Sequence, residues 1–259
     1  MALTTLPEWL SYLETLHPQA IDLGLERVKK VADKLNIQHP ATKVVTVTGT
    51  NGKGSCVAAL AAIYQQAGYR VGAYSSPHLW HFTERILING IPVAEKDLCA
   101  QFIKIEQARE NISLTYFEFT TLAALLIFQQ QNLDLVILEV GMGGRLDAVN
   151  IIDPDIAVIT TVDLDHQAWL GETCEKIGYE KAGIMRTGIP VVCGREMPNS
   201  VYQTAQTQDV RMYVLGKNFD VKIVNTQEFF WQANEKILIN LPRNHLLVDN
   251  LALSLMVVA

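Results

Sequence analysis

The chain has 259 residues, of which 49% are hydrophobic and 19% charged, and its formal net charge is −6. That length suits one large α/β domain or two small ones, and the apolar fraction argues against disorder. The acidic balance argues against a general nucleic-acid binder, which needs a basic face for phosphates.

No basic region precedes an apolar stretch at the N-terminus, and no apolar run reaches the length of a membrane span. Cys56, Cys99, Cys174 and Cys193 have no C-x-x-C spacing. A reduced, cytoplasmic protein without a membrane partner is therefore expected.

Two helical stretches, Pro7–Leu16 and Leu23–Leu35, open the chain. Apolar strands are predicted at 43–48, 71–74, 134–139, 156–161 and 189–193, with helical patterns between them at 56–67, 95–109, 117–131, 172–183 and 198–207. Near-continuous apolar strands such as Leu133–Leu138 suit a parallel sheet covered on both faces. The expected fold is therefore α/β, a doubly wound and mostly parallel sheet.

From 212 to 241 the pattern changes to short β-like runs: Met212–Leu215, Phe219–Val224, Phe229–Trp231 and Ile237–Leu241. These read as a small antiparallel patch at the domain's edge. A last helix is predicted after Pro242, and its run Leu251–Ala259 reads as a broad apolar surface that invites self-association.

The most informative stretch lies at 44–67. The β-branched run Val44–Thr48 breaks at Gly49, Thr50, Asn51, Gly52, Lys53, Gly54 and Ser55, then resumes as a helix from Cys56 to Ala67. A strand, a glycine turn and a helix start place amides and a helix dipole around one point, which suits a phosphate. Glycines let the backbone approach closely, Lys53 can reach terminal phosphates, and Ser55 can face a magnesium ion. The strict G-x-x-x-x-G-K-[ST] pattern is not met, because Val47 stands where its first glycine belongs and Gly54 separates Lys53 from Ser55.

Polar residues at other strand ends extend the pattern, since ligands of open α/β sheets sit outside the strands' carboxyl ends. Glu139 closes an apolar strand ahead of a glycine-rich loop, Gly141 to Asp147, as metal-holding acids of nucleotide enzymes do. Asp163, Asp165 and His166 follow the next strand, and a hard cation alone would favour the carboxylates. Ser75-Ser76-Pro77 alone is a turn signal. Lys181 sits in the last turn of a predicted helix with Gly183 as its stop.

Thr-Gly-Thr-Asn-Gly-Lys-Gly-Ser resembles the phosphate loop of the Mur ligase superfamily, in the spelling of folylpolyglutamate and dihydrofolate synthases. Further motifs follow in family order from Asp22 to Asn250. Ser-Ser-Pro-His-Leu and Gly-Gly-Arg-Leu-Asp-Ala look most like the bacterial bifunctional enzymes.

The resemblance implies magnesium ligands at Ser76, Glu139 and His166, the last through Leu-Asp-His followed by Leu170-Gly171. It implies that Lys181, in a Lys-Ala-Gly motif, carries a CO₂-derived carbamate and binds a second Mg²⁺. A pterin pocket is implied at Asp22, Leu23, Gly24 and Leu25, at Thr115, Tyr116, Phe117 and Glu118, and at Leu146, Asp147 and Ala148. Stacking on an aromatic face and an acid for ring nitrogens suit a flat heterocycle. Asn250 would contact the adenine of ATP.

The implied reaction adds L-glutamate to dihydropteroate or folate through an acyl phosphate made by ATP, with Lys53, His166 and Lys181 as catalytic residues. The resemblance also implies that residues 1–259 form an N-terminal ATP-binding domain, whose helix from 242 leads toward a C-terminal domain, and that the full-length family is monomeric. Two alternatives stay open. One is a P-loop kinase or GTPase, although a guanine-reading Asn-Lys-x-Asp is absent. The other is a nucleotide-binding module without ligase activity.

Overall fold

A computed structural model describes residues 3–259. The chain begins with α1 (Leu6–Leu16) and α2 (Glu26–Lys34), followed by β1 (Lys43–Thr48), α3 (Lys53–Gln66), β2 (Val71–Tyr74), β3 (Ile86–Ile88) and β4 (Ile91–Pro92). Next come α4 (Glu95–Arg109), α5 (Tyr116–Gln129), β5 (Leu135–Glu139), β6 (Ile156–Ile159), α6 (Gln167–Leu170), α7 (Cys174–Ala182), β7 (Val191–Cys193) and α8 (Asn199–Thr207). The final stretch holds β8 (Met212–Val214), β9 (Phe219–Ile223), β10 (Glu228–Ala233), β11 (Lys236–Pro242) and α9 (Val248–Val258). None of the described helices is long and apolar enough to cross a membrane.

The main sheet runs β4-β3-β2-β5-β1-β6-β7-β8, parallel from β2 to β8 and antiparallel at the β3–β4 edge. Its central strands are apolar on both faces because both are covered. Val44, Val136, Leu138 and Tyr74 point to a layer made by α1, α2, α4 and α5. Val45, Val47, Leu135 and Ile137 point the other way, toward α3, α9 and the small second sheet. α5 lies deep within the first layer: every residue from Glu118 to Phe128 is buried, so its sequence is apolar all round.

The doubly wound, mostly parallel fold is as expected, with five differences in detail. Met212–Val214 does not join the antiparallel patch. It pairs parallel to β7 as the far edge of the main sheet, because the α8 crossover returns the chain in the same direction. The patch is β11-β10-β9 alone. The β3–β4 hairpin was not expected; it turns through Asn89 and Gly90, both at positive φ.

α3 starts at Lys53 rather than Cys56, and α9 starts at Val248, several residues after Pro242. The broad apolar surface expected on α9 is also largely absent. Ala252, Leu253 and Val257 are buried with residues of α3 and the small sheet, and the Trp231 indole N–H donates to the Ala252 carbonyl at 3.2 Å.

Candidate active site

The phosphate-type loop, Gly49 to Gly52, joins β1 to α3. The first helical bond runs from the Cys56 amide to the Gly52 carbonyl, so the amides of Lys53, Gly54 and Ser55 face the loop's mouth. Gly52 has φ +89°, and a Cβ there would collide with the Asn250 amide. The buried Asn250, in the first turn of α9, is thereby packed onto the loop. Lys53 curls over the loop and donates to the carbonyls of Gly49 (2.9 Å) and Thr50 (3.3 Å).

Beside it, a cavity of about 360 Å³ gathers residues from distant parts of the chain. Asp22, Leu23 and Gly24 line it, with Thr115, Phe117, Glu118, Leu146, Asp147 and Ala148; Ser76, Arg85 and His166 also reach it. Three expected substrate segments and two expected metal ligands thus meet in one space. Leu25 and Tyr116 do not. Leu25 caps α2, and Tyr116 lines a neighbouring cavity, where the Arg85 guanidinium lies 5.7 Å from its ring centre.

One wall of the cavity is an ion network. Arg27 donates to Asp22 Oδ2 at 2.6 Å and lies 3.2 Å from Glu118 Oε1, while His17 Nε2 sits 3.1 Å from Asp22 Oδ2. Glu118 also receives the Thr115 amide at 2.7 Å and so completes a capping box at the start of α5. Neither Arg27 nor His17 was expected here. Arg27 and Glu118 are 91 positions apart, and no local pattern pairs them.

Asp147 is likewise held by the fold: it accepts the amides of Met142 (2.9 Å) and Val149 (3.0 Å). Burial pushes its carboxyl up to about 6 against those bonds. Gly141 is required because a Cβ would overlap the Phe117 ring, so the pocket's aromatic face lies directly on the backbone.

Glu139 and Lys181 stand in a different setting. Glu139 is buried, and its carboxylate accepts one hydrogen bond among the described residues, from the Ser76 amide at 3.3 Å. Burial pushes it up to about 7, opposed by the nearby Lys53 charge. Lys181 is only 2% exposed, and its amine has neither a hydrogen bond nor an ion pair among the described residues. Burial, with the Lys53 charge, lowers it to about 8.

Gly183 does not stop α7 by a left-handed turn, since its φ is −65°. It is glycine because a Cβ would collide with Arg145. His166 lies at φ +47°, beside Asp165, and it alone of Asp163, Asp165 and His166 lines the cavity. Among the described residues no three His, Cys, Asp or Glu side chains cluster as a metal site. The expected set holds only two of those types, Glu139 and His166.

A phosphate-type loop at the carboxyl edge of a doubly wound sheet, next to a deep mixed pocket, defines a nucleotide-dependent α/β protein. Residues 47–242 match the Mur ligase middle domain, and the chain belongs to that family.

It is 49% identical over 234 residues to the dihydrofolate synthase/folylpolyglutamate synthase of Escherichia coli, covering 90% of this chain and 56% of the relative. With the Haemophilus influenzae protein of that name it is 48% identical over 244 residues, covering 93% and 55%. The structure of E. coli FolC in complex with DHPP and ADP superposes with a TM-score of 0.96 at 46% identity, covering 98% of this chain and 62% of that one. Folylpolyglutamate synthase from Thermotoga maritima gives 0.84 at 33% identity, covering 96% and 61%. The chain therefore spans little more than half the length of these relatives.

Proposed function

We propose that this chain is the nucleotide- and pterin-binding part of an ATP-dependent ligase that adds L-glutamate to dihydropteroate or to folate and its polyglutamates. One observation carries the reading. The cavity that joins Asp22–Gly24, Thr115, Phe117, Glu118 and Leu146–Ala148 is also lined by Ser76 and His166, and the Ser76 amide donates to Glu139, whose carboxylate lies against Gly54 at the end of the phosphate loop. The relatives support it. E. coli FolC binds DHPP and ADP, and a bifunctional synthase structure holds Mn, AMPPNP and L-glutamate.

In this reading the pterin stacks against Phe117, Asp147 and Glu118 face its ring nitrogens, and the substrate carboxylate points toward Ser76 and His166. The ATP phosphates lie against the amides of Lys53, Gly54 and Ser55, where the helix dipole and the Lys53 ammonium favour negative charge. Asn250 meets the nucleotide's base. The carboxylate oxygen attacks the γ-phosphorus and ADP leaves. The glutamate amine then attacks the acyl carbon and phosphate departs, forming the amide.

The donor set fits divalent cations. A buried carboxylate with a single hydrogen bond, and a buried lysine with none, are groups that a bound cation and a carbamate would satisfy. Ser76, Glu139 and His166 would hold one Mg²⁺, and Lys181, converted by CO₂ to an anionic carbamate, a second. A lysine at about 8 keeps a useful fraction of neutral amine, the form that reacts with CO₂. Magnesium supplies charge neutralisation for the transferring phosphoryl group.

The alternative reading is a nucleotide-binding module that does not itself ligate. Calorimetry with MgATP and with dihydropteroate tests the shared part, and glutamate-dependent phosphate release separates the two. Binding of both ligands is expected, and failure to bind either overturns the assignment. We further propose that glutamate addition needs the segment that the relatives carry beyond the matched part. Turnover by the 259-residue chain equal to that of an extended version would overturn this.

A further inference from the structure

Hydrogen bonds at an exposed loop are not demanded by burial, so a dense and reciprocal set there calls for another reason. The Thr50 hydroxyl donates to the Asp163 carbonyl at 3.2 Å and accepts the Asp163 amide at 3.1 Å. The Thr161 hydroxyl treats Asn51 in the same way, accepting its amide at 2.9 Å and donating to its carbonyl at 3.2 Å. Each threonine thus grips both backbone groups of one residue in the opposite loop. The Thr50 amide closes the ring by donating to the Thr161 carbonyl at 2.9 Å. Beneath it, buried Thr160 donates to the Asn51 carbonyl at 2.6 Å, and a Cβ at Gly49 would overlap that hydroxyl.

One of these loops presents the phosphate-facing amides, and the other leads from β6 to His166. We propose that Thr50 and Thr161 are positioning residues, a reciprocal clasp that makes the two loops one rigid unit and so couples phosphate binding to cation binding. The proposal rests on the ligase reading above. It also assigns the donors: the amides of Thr50 and Asn51 are used inside the clasp, which leaves phosphate to the amides from Gly52 to Ser55 and to the Lys53 amine.

The test compares wild type, Thr50→Val, Thr161→Val and Thr161→Ser by calorimetric Kd for ATP, with excess Mg²⁺ and with chelator. Valine keeps the shape and loses the hydroxyl. We expect about a tenfold loss of affinity in Mg²⁺ for each valine variant, the scale of one or two lost hydrogen bonds. With chelator the loss should be about twofold or less, so the ratio of the two affinities falls, because the coupling between sites is what the clasp supplies. The Thr161→Ser variant should keep the wild-type ratio.

An unchanged ratio in both valine variants overturns the clasp, and so does an equal loss with and without Mg²⁺, which would mark a merely damaged loop. A wild-type chain that binds no ATP overturns the ligase reading and the clasp with it. Should the valine variants fail to fold, amide exchange in the wild type decides. Addition of ATP with Mg²⁺ should protect the Asn51 and Asp163 amides together, and protection of one loop without the other overturns the proposal.

Discussion

On one wall of the cavity, Asp22 and Glu118 share the Arg27 guanidinium, and each carboxylate has a further partner in His17 or the Thr115 amide. On the phosphate side, Glu139 and Lys181 are more deeply buried than Asp22 or Arg27 and form no ion pair among the described residues. The first group is completed by folding itself, because removal from water is offset by mutual attraction and hydrogen bonds. The second carries desolvation that folding does not offset. A protein retains such groups where it holds a ligand, at some cost in stability.

This contrast is broken most severely at Arg27. Arg27→Met leaves Glu118 buried without its cation and should lower unfolding stability by about 3 kcal/mol, read from denaturant midpoints. A loss below about 1 kcal/mol would place the network among ordinary surface pairs.

Glu139→Gln should do the opposite. The native carboxyl stands near 7 against 4.5 for an unperturbed group, so the native state binds more protons than the unfolded state between those values. Its contribution is therefore intact below pH 4.5 and is lost as pH rises through about 7. Without metal, the glutamine variant should match wild type in acid and exceed it by about 2 kcal/mol at pH 8. A constant difference across pH would show that burial does not shift this carboxyl.

Lys181 supplies the mirror case. Its native value near 8 lies below the ordinary 10.5, so its penalty is full below pH 8 and disappears as pH rises through 10.5. Lys181→Met should stabilise the chain by roughly 1–2 kcal/mol at pH 7 and converge with wild type above pH 10.5. It should also abolish the carbamate that density at Nζ, recorded with bicarbonate present, is expected to reveal in the wild type. A bare amine in a metal-loaded site would count against that role.

The smallest stability effect is expected at Lys53. Its amine bonds only loop carbonyls, so Lys53→Ala should move apo stability by less than about 0.5 kcal/mol. The rise in thermal midpoint that MgATP induces should vanish with it. Equal MgATP shifts in both proteins would remove the phosphate-loop assignment.

Much of this was legible in short stretches of chain. Gly49 to Ser55 announce a phosphate loop because turn, glycine and helix start are neighbours in sequence. The central strands announce a two-sided sheet because both faces are apolar. Other signals were present but ambiguous. Thr115-x-x-Glu118 is a capping-box spelling, and the acid expected to face a pterin also caps its own helix. Asn89-Gly90 is a hairpin turn, hidden because the strands it joins have three and two residues. Met212–Val214 has the same β-like composition as the patch after it, and only the α8 crossover decided which sheet it joined.

The sequence by itself determined the fold class, the phosphate loop and the segments that meet at the pocket, since turns, caps and periodicity act over a few residues. Tertiary structure alone decided the pairing of Arg27 with Glu118, the grip of Thr50 on Asp163 and the covering of α9. It also decided the displaced protonation of Glu139 and Lys181. Each of these depends on groups brought together from distant positions, and desolvation is a sum over everything packed around a charge, which no neighbouring residue records.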